Sequence, residues 1–202
     1  MGIVETLPIV PKLCWNRPMQ PETTHPAEPG ELVAVLGEFH TESGRSLLEI
    51  VDESAVLLIF LRHFGCAFCR QALDQVSRIR EQIESKGTTP IFVHLGSPER
   101  ARPYFDYYRL SDVERVSNPD ASLYRHPAFA LSRRNPFLHL LSPAVWRAWF
   151  AGALPKYGLG TFKEDAHQMP GVFFLKGRRI VRGFRYQTIA DEPNYLKLIG
   201  AG

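Results

Sequence analysis

Seven consecutive apolar residues, Ala55 to Leu61 (AVLLIFL), leave no polar face, so as a strand this segment must be covered on both sides. A second such run, Ile91 to Leu95 (IFVHL), follows thirty residues later. Between them Phe68, Ala72, Val76, Ile79 and Ile83 recur at steps of three or four, the stripe of an amphipathic helix that ends near Gly87. Strand, helix and strand in this order predict a parallel pair joined by a crossover helix.

The flanking signals extend this unit in both directions. Ser97-Pro98 reads as an N-cap with Pro at N1 and opens a helix towards Leu110 that Pro103 bends or shortens. Val113 to Ser117 predicts a weaker strand, and Asn118-Pro119-Asp120 a second helix start near Leu123. Gly171 to Leu175 (GVFFL), a turn at Lys176-Gly177-Arg178, and Arg179 to Phe184 (RIVRGF) predict a hairpin, followed by a closing helix from about Asp191 to Ile199. The expected class is α/β, a mixed central sheet flanked by helices.

Two segments stand apart. Six of the sixteen prolines fall within the first 30 residues, predicting an extended arm over 1–30 beside a single domain over 31–202. An insertion of about 128–168 is far longer than an ordinary connection and is rich in aromatics. Pro143 starts a helix there carrying Trp146 and Trp149. Helical spacing of aromatics favours packing on the body; a lid or partner surface is the alternative. With Arg147 as its only cation, this helix is a poor membrane binder.

Charge and cysteine usage narrow the function. The 24 Lys+Arg against 21 Asp+Glu leave +3, and the 18 arginines are scattered, which disfavours nucleic acid. No apolar run approaches the roughly 18 to 20 residues of a membrane span, and Met1 to Pro11 lack a secretory pattern. The expectation is a cytoplasmic protein with no membrane partner, where Cys66 and Cys69 stay reduced unless they turn over or hold a metal.

Those two cysteines sit in Leu61-Arg62-His63-Phe64-Gly65-Cys66-Ala67-Phe68-Cys69-Arg70, where the first strand runs into its helix. Near N1 of that helix, Cys66 meets unpaired N–H groups and the positive dipole end, which favour thiolate. Cys66 is therefore the expected nucleophile, and Cys69, one turn on, the resolving thiol. Two plainer readings are a pair of structural thiols and a metal site of His63, Cys66 and Cys69 with Cys14 as fourth ligand. Only one closely spaced Cys pair exists, which counts against structural zinc. His63 is a general base, a cation beside the thiolate, or a packed neutral ring. Arg62 and Arg70 either add positive potential or are solvated.

The segment Phe60 to Arg70, with Ser117-Asn118-Pro119-Asp120, Leu123-Tyr124-Arg125 and the aromatic insertion ahead of Gly171 to Leu175, resembles the thioredoxin-like superfamily. Within it, the likeness is to the peroxiredoxin-like family, related to alkyl hydroperoxide reductase and thiol-specific antioxidant proteins, that includes selenoprotein L. The resemblance covers about residues 31–200. It implies a thioredoxin-like fold and a redox-active dithiol, supported by Arg62, His63, Phe64 and Gly65, with no bound cofactor or metal. It also implies that Pro170 is a cis-proline facing the dithiol, with Met169 touching the sulfur site. His63 stands where typical peroxiredoxins place Thr or Ser, and their loop Pro is missing. The implied activity is accordingly thiol-disulfide exchange on a protein or small-molecule disulfide, with electrons from a cellular thiol reductant. Peroxide reduction and a non-catalytic redox sensor are the alternatives, and a homodimer is among the states the sequence allows.

Overall fold

The computed structural model describes residues 29–135, 143–148, 150, 154–158 and 164–200. The arm through residue 28, including Cys14, and Trp149 lie outside the described residues. The first element, α1 (Pro29–Glu38), starts two residues inside the span read as extended, since a Pro in the first helical turn loses no hydrogen bond. A second helix, α2 (Leu47–Glu53), was not anticipated. Its signal is nevertheless present: Ser46 and Glu49 form a reciprocal capping box.

The crossover unit is as its pattern implies. Strand β1 (Ala55–Phe60) leads into α3 (Ala67–Glu84), and Gly87, at φ 67°, turns the chain into β2 (Thr88–His94). Side chains of β1 alternate: Val56, Leu58 and Phe60 enter one buried cluster, Leu57 and Ile59 the other. This two-sided burial is why the run contains no polar residue. Strand β2 begins earlier than its apolar run, through Pro90. Strand β3 (Arg115–Ser117) pairs only with Phe92 to His94, so the sheet is locally an edge at Pro90 and tolerates its missing N–H.

Helix α4 (Pro98–Tyr107) contains Pro103, and α5 (Ser122–Arg125) is a single turn. Helices α6 (Pro143–Ala148) and α7 (Leu154–Tyr157) belong to the insertion. In α6, Val145 is buried while Trp146 is partly exposed and stacks on exposed Phe150, ring centroids 5.6 Å apart. The hairpin is β4 (Gly171–Leu175) and β5 (Ile180–Arg185), and α8 (Tyr195–Leu198) is shorter than expected, beginning only after Pro193 with Asn194 as its N-cap.

The sheet has the order β3-β2-β1-β4-β5. β1, β2 and β3 are parallel; β4 runs antiparallel to β1, and β5 to β4. One face buries residues of α3, α4 and α8, the other those of α1, α2 and α5. This is the mixed α/β sheet with helices on both sides that the sequence predicts. Among the described residues no helix is long and apolar enough to cross a membrane.

Candidate active site

The site forms where β1 ends, at the carboxyl edge of the parallel strands. Leu61 still follows the sheet, donating its N–H to the Val93 carbonyl at 2.8 Å. The hydroxyl of fully buried Tyr124 donates to the Leu61 carbonyl at 2.5 Å and the Val93 carbonyl at 2.9 Å. One side chain thus clamps the ends of two strands where the chain enters the loop to Cys66. Tyr124 was part of the family-like motif, but nothing in its sequence context indicated this role.

Past Leu61 the chain leaves the sheet and turns into α3. The Cys66 N–H donates to the His63 carbonyl at 3.0 Å, closing the turn, and the Cys66 carbonyl accepts from Arg70 N–H at 3.3 Å, the first bond of the helix. Cys66 is the N-cap residue with extended φ and ψ of −81° and 124°. Its sulfur is therefore presented to the open end of the helix. Both Cys66 and Cys69 are buried, and both are free thiols.

The two sulfurs are electrostatically unlike. A hydrogen bond from the Cys69 thiol, the charge of Arg62, and the backbone N–H groups of Cys69 and Phe68 hold the Cys66 pKa down to about 6, against the opposing effect of burial. Cys69 is pushed upward by that same bond, by burial and by the negative charge on Cys66. The pair thus consists of a thiolate and a protonated thiol at neutral pH. With a pKa of 6, about nine-tenths of Cys66 is ionised at pH 7, against about 3% for an unperturbed cysteine.

Arg62 supplies the positive charge from inside the fold. It is only 3% exposed, its backbone N–H donates to Cys69 Sγ at 3.3 Å, and its guanidinium donates to the carbonyls of Gln168 (3.0 Å) and Ala166. Among the described residues it has no carboxylate partner. A buried guanidinium bonded only to neutral carbonyls keeps its full charge available to the neighbouring thiolate.

His63 is 2% exposed, and burial reinforced by Arg62, Arg100 and Arg70 lowers its pKa to about 4. It is neutral near pH 7, which excludes it as the cation beside Cys66. Phe64 is buried and stacked on Tyr104, ring centroids 4.7 Å apart at 13°. The Gly65 carbonyl accepts from Arg70 at 3.4 Å. Arg70 is therefore not simply solvated.

For Met169 and Pro170 the structure gives one placement and one correction. Met169 shares the buried cluster that contains Cys66 and Cys69. The expected cis-proline is not found: every described peptide bond, including Met169–Pro170, is trans. The approach to β4 is held extended by the Met169 N–H bond to the Ser132 carbonyl at 3.0 Å and by the Arg133–Gln168 bridge, so the ordinary isomer is accommodated. The Glu164 carboxylate, 5% exposed, pairs with Arg100 and was not anticipated. Among the described residues no three His, Cys, Asp or Glu side chains gather as metal ligands.

No family model matches the chain. It is similar to peroxiredoxin-like 2C of Bos taurus, 22% identical over 187 residues that cover 87% of this chain and 81% of that one. Among solved structures it is similar to the bacterioferritin comigratory protein of Xanthomonas campestris, with TM-score 0.57 and 13% identity over 83% of this chain and 92% of the other. It is likewise similar to the peroxidoxin BcpB of Mycobacterium tuberculosis, with TM-score 0.55 and 10% identity over 81% and 88%. At these identities the likeness to the solved structures is one of fold.

Proposed function

Because the chain is thioredoxin-like in fold and of the peroxiredoxin-like kind, we propose that it is a thiol-disulfide oxidoreductase in which Cys66 attacks and Cys69 resolves. The observation that carries this reading is the division of labour between the sulfurs: a thiolate on the N-cap residue of α3, backed by the buried charge of Arg62, beside a protonated thiol. A structural pair of thiols needs no such asymmetry.

In the proposed reaction the Cys66 thiolate attacks one sulfur of a substrate disulfide, and the other sulfur leaves as a thiolate and is protonated. Cys69 then loses its proton and attacks Cys66 Sγ, expelling the second substrate thiol. Two electrons pass to the substrate and the protein is left as a Cys66–Cys69 disulfide, which a cellular thiol reductant reduces. Arg62 stabilises the Cys66 thiolate as attacking group in the first step and as leaving group when the disulfide is reduced again. Met169 and Pro170 supply the wall against which the substrate lies.

The test is substitution of each cysteine. Cys66→Ser is expected to abolish reduction of a model disulfide, and Cys69→Ser to accumulate a mixed disulfide at Cys66. Activity that survives Cys66→Ser would overturn the assignment.

Peroxide reduction is the second reading, favoured by the fold neighbours: the Xanthomonas protein is described by its alkyl peroxide reduction activity. Cys66 thiolate would attack the peroxide oxygen, giving a sulfenic acid and an alcohol or water; Cys69 would then displace water to form the same disulfide. His63, neutral and buried, replaces the hydroxyl residue that the resemblance leads one to expect there. Stopped-flow oxidation of the reduced protein by hydrogen peroxide and by an organic hydroperoxide separates the two activities.

A further inference from the structure

A cavity of about 300 Å³ lies between α3, α4 and α7, and the proposed chemistry does not use it. Its walls are phenols and cations: Tyr104, Tyr107, Tyr108 and Tyr157 with Arg70 and Lys156. The volume is at the lower end of small-molecule sites, too small for a folded partner. Two of its walls adjoin the reactive loop. Tyr104 stacks on Phe64, two residues before Cys66, and Arg70 donates to the carbonyls of Gly65 at 3.4 Å and Gly158 at 2.9 Å.

The two cations differ in what they have left to offer. Lys156 is committed to Asp74 at 2.7 Å, a carboxylate that also accepts from the Tyr157 hydroxyl and from Arg78. Arg70 has only carbonyl partners among the described residues, and both are held by one terminal nitrogen, Nη2; its Nε is buried away from solvent, which leaves Nη1 as the donor still to be used. A guanidinium whose terminal Nη1 is unspent, in a phenol-lined cavity, matches a carboxylate, which its two terminal nitrogens can grip with parallel bonds. Burial pushes the Tyr108 phenol up to about 12, so it remains a neutral donor beside that charge.

We propose that this cavity seats the carboxylate of a small anionic thiol, the co-substrate that reduces the Cys66–Cys69 disulfide. The proposal rests on the redox reading above and adds the chemical class of the reductant. The seated thiolate attacks Cys66 Sγ, forming a mixed disulfide, and Cys69 leaves as a thiolate and takes up a proton. A second thiolate attacks the seated sulfur and expels Cys66 as its thiolate. Two thiols are oxidised to one disulfide, and their two electrons restore the dithiol.

The experiment uses the oxidised full chain and three monothiols of similar size: anionic 3-mercaptopropionate, neutral 2-mercaptoethanol and cationic cysteamine, with rates expressed per thiolate. The expected result is saturation by 3-mercaptopropionate and a preference for it over 2-mercaptoethanol of about tenfold or more. In Arg70→Gln that ratio falls towards one. Equal rates with the three thiols, or a ratio that persists in Arg70→Gln, would overturn the proposal.

A measurement on the unaltered protein decides the matter should Arg70→Gln not fold. The unreactive thioether 3-(methylthio)propionate is expected to compete with 3-mercaptopropionate and not with 2-mercaptoethanol; absence of competition overturns the proposal. Dithiothreitol separates the two levels of failure. A protein that dithiothreitol cycles normally, but that shows no charge preference, overturns the cavity's role alone. A protein whose dithiol and disulfide do not interconvert with dithiothreitol overturns the redox reading as well.

Discussion

Arg62 touches Cys69 with its backbone and favours the Cys66 anion with its charge: its N–H lies 3.3 Å from Cys69 Sγ while its buried guanidinium is tied to the carbonyls of Ala166 and Gln168. One residue thereby acts on both sulfurs in the same sense: its charge favours the anion of each, and its N–H adds to this at Cys69. The backbone N–H holds the Cys69 sulfur in position, and the side chain favours ionisation of Cys66.

Removing that charge should raise the Cys66 pKa. A nearby cation stabilises only the ionised form, so in Arg62→Gln the midpoint of thiolate formation is expected to move from near 6 upward by roughly one unit or more. Arg62→Lys keeps the charge without the forked geometry and is expected to shift it less. Alkylation rate against pH, or thiolate ultraviolet absorbance, reads the midpoint directly. An unchanged midpoint in Arg62→Gln would remove the residue from the site's electrostatics.

His63 makes the folded state sensitive to acid. Its pKa is about 4 when folded and about 6.5 when unfolded, so between these values the unfolded chain binds more protons. Stability from this group is complete above pH 6.5 and is lost as pH falls towards 4, by up to about 3 kcal/mol. Denaturant unfolding at pH 7 and pH 4.5 is expected to show a smaller loss in His63→Gln than in the unaltered protein. Equal losses would mean that the ring is not held neutral by burial.

Tyr124→Phe deletes one hydroxyl that serves two carbonyls. Because the Leu61 and Val93 carbonyls are buried, the expected loss is about 1–2 kcal/mol in unfolding free energy. The variant also frees the end of β1, so the Cys66 midpoint should broaden or shift together with stability. A change in stability with an unaltered Cys66 titration would confine Tyr124 to a structural role.

Gly183 tests the packing of the hairpin on the sheet. A Cβ at this position would lie 2.8 Å from Phe173 Cδ1, and that ring is itself fixed against Phe60 and Phe129. Gly183→Ala should destabilise the protein by about 1–3 kcal/mol without altering the thiol titration. Thermal unfolding and Cys66 alkylation, measured on the same variant, separate the two effects.

Much of the architecture was legible because its signals are local. The two-sided burial of β1 is written in seven uninterrupted apolar residues, α3 in steps of three and four, and the hairpin in its Lys176-Gly177-Arg178 turn. Helix α2 was equally readable from Ser46 and Glu49, though its apolar stripe is too short to draw attention. The junction of β1 and α3, which carries both cysteines, is legible in the same local signals.

Electrostatics and access were decided by tertiary structure. Nothing near Arg62 in sequence indicates burial; it is buried because carbonyls about a hundred residues away, at Ala166 and Gln168, receive its guanidinium. His63 loses its candidacy as a cation for the same reason, since desolvation depends on what covers the ring and not on its neighbours in the chain. The segment before the trans Met169–Pro170 bond pairs with Ser132 and Arg133, more than thirty residues away, and the tyrosine-lined cavity needs three helices that no short sequence window contains. Periodicity, caps and turns are properties of a few adjacent residues and therefore belong to the sequence alone. Charge state, desolvation and the shape of a cavity are set by groups that only folding brings together.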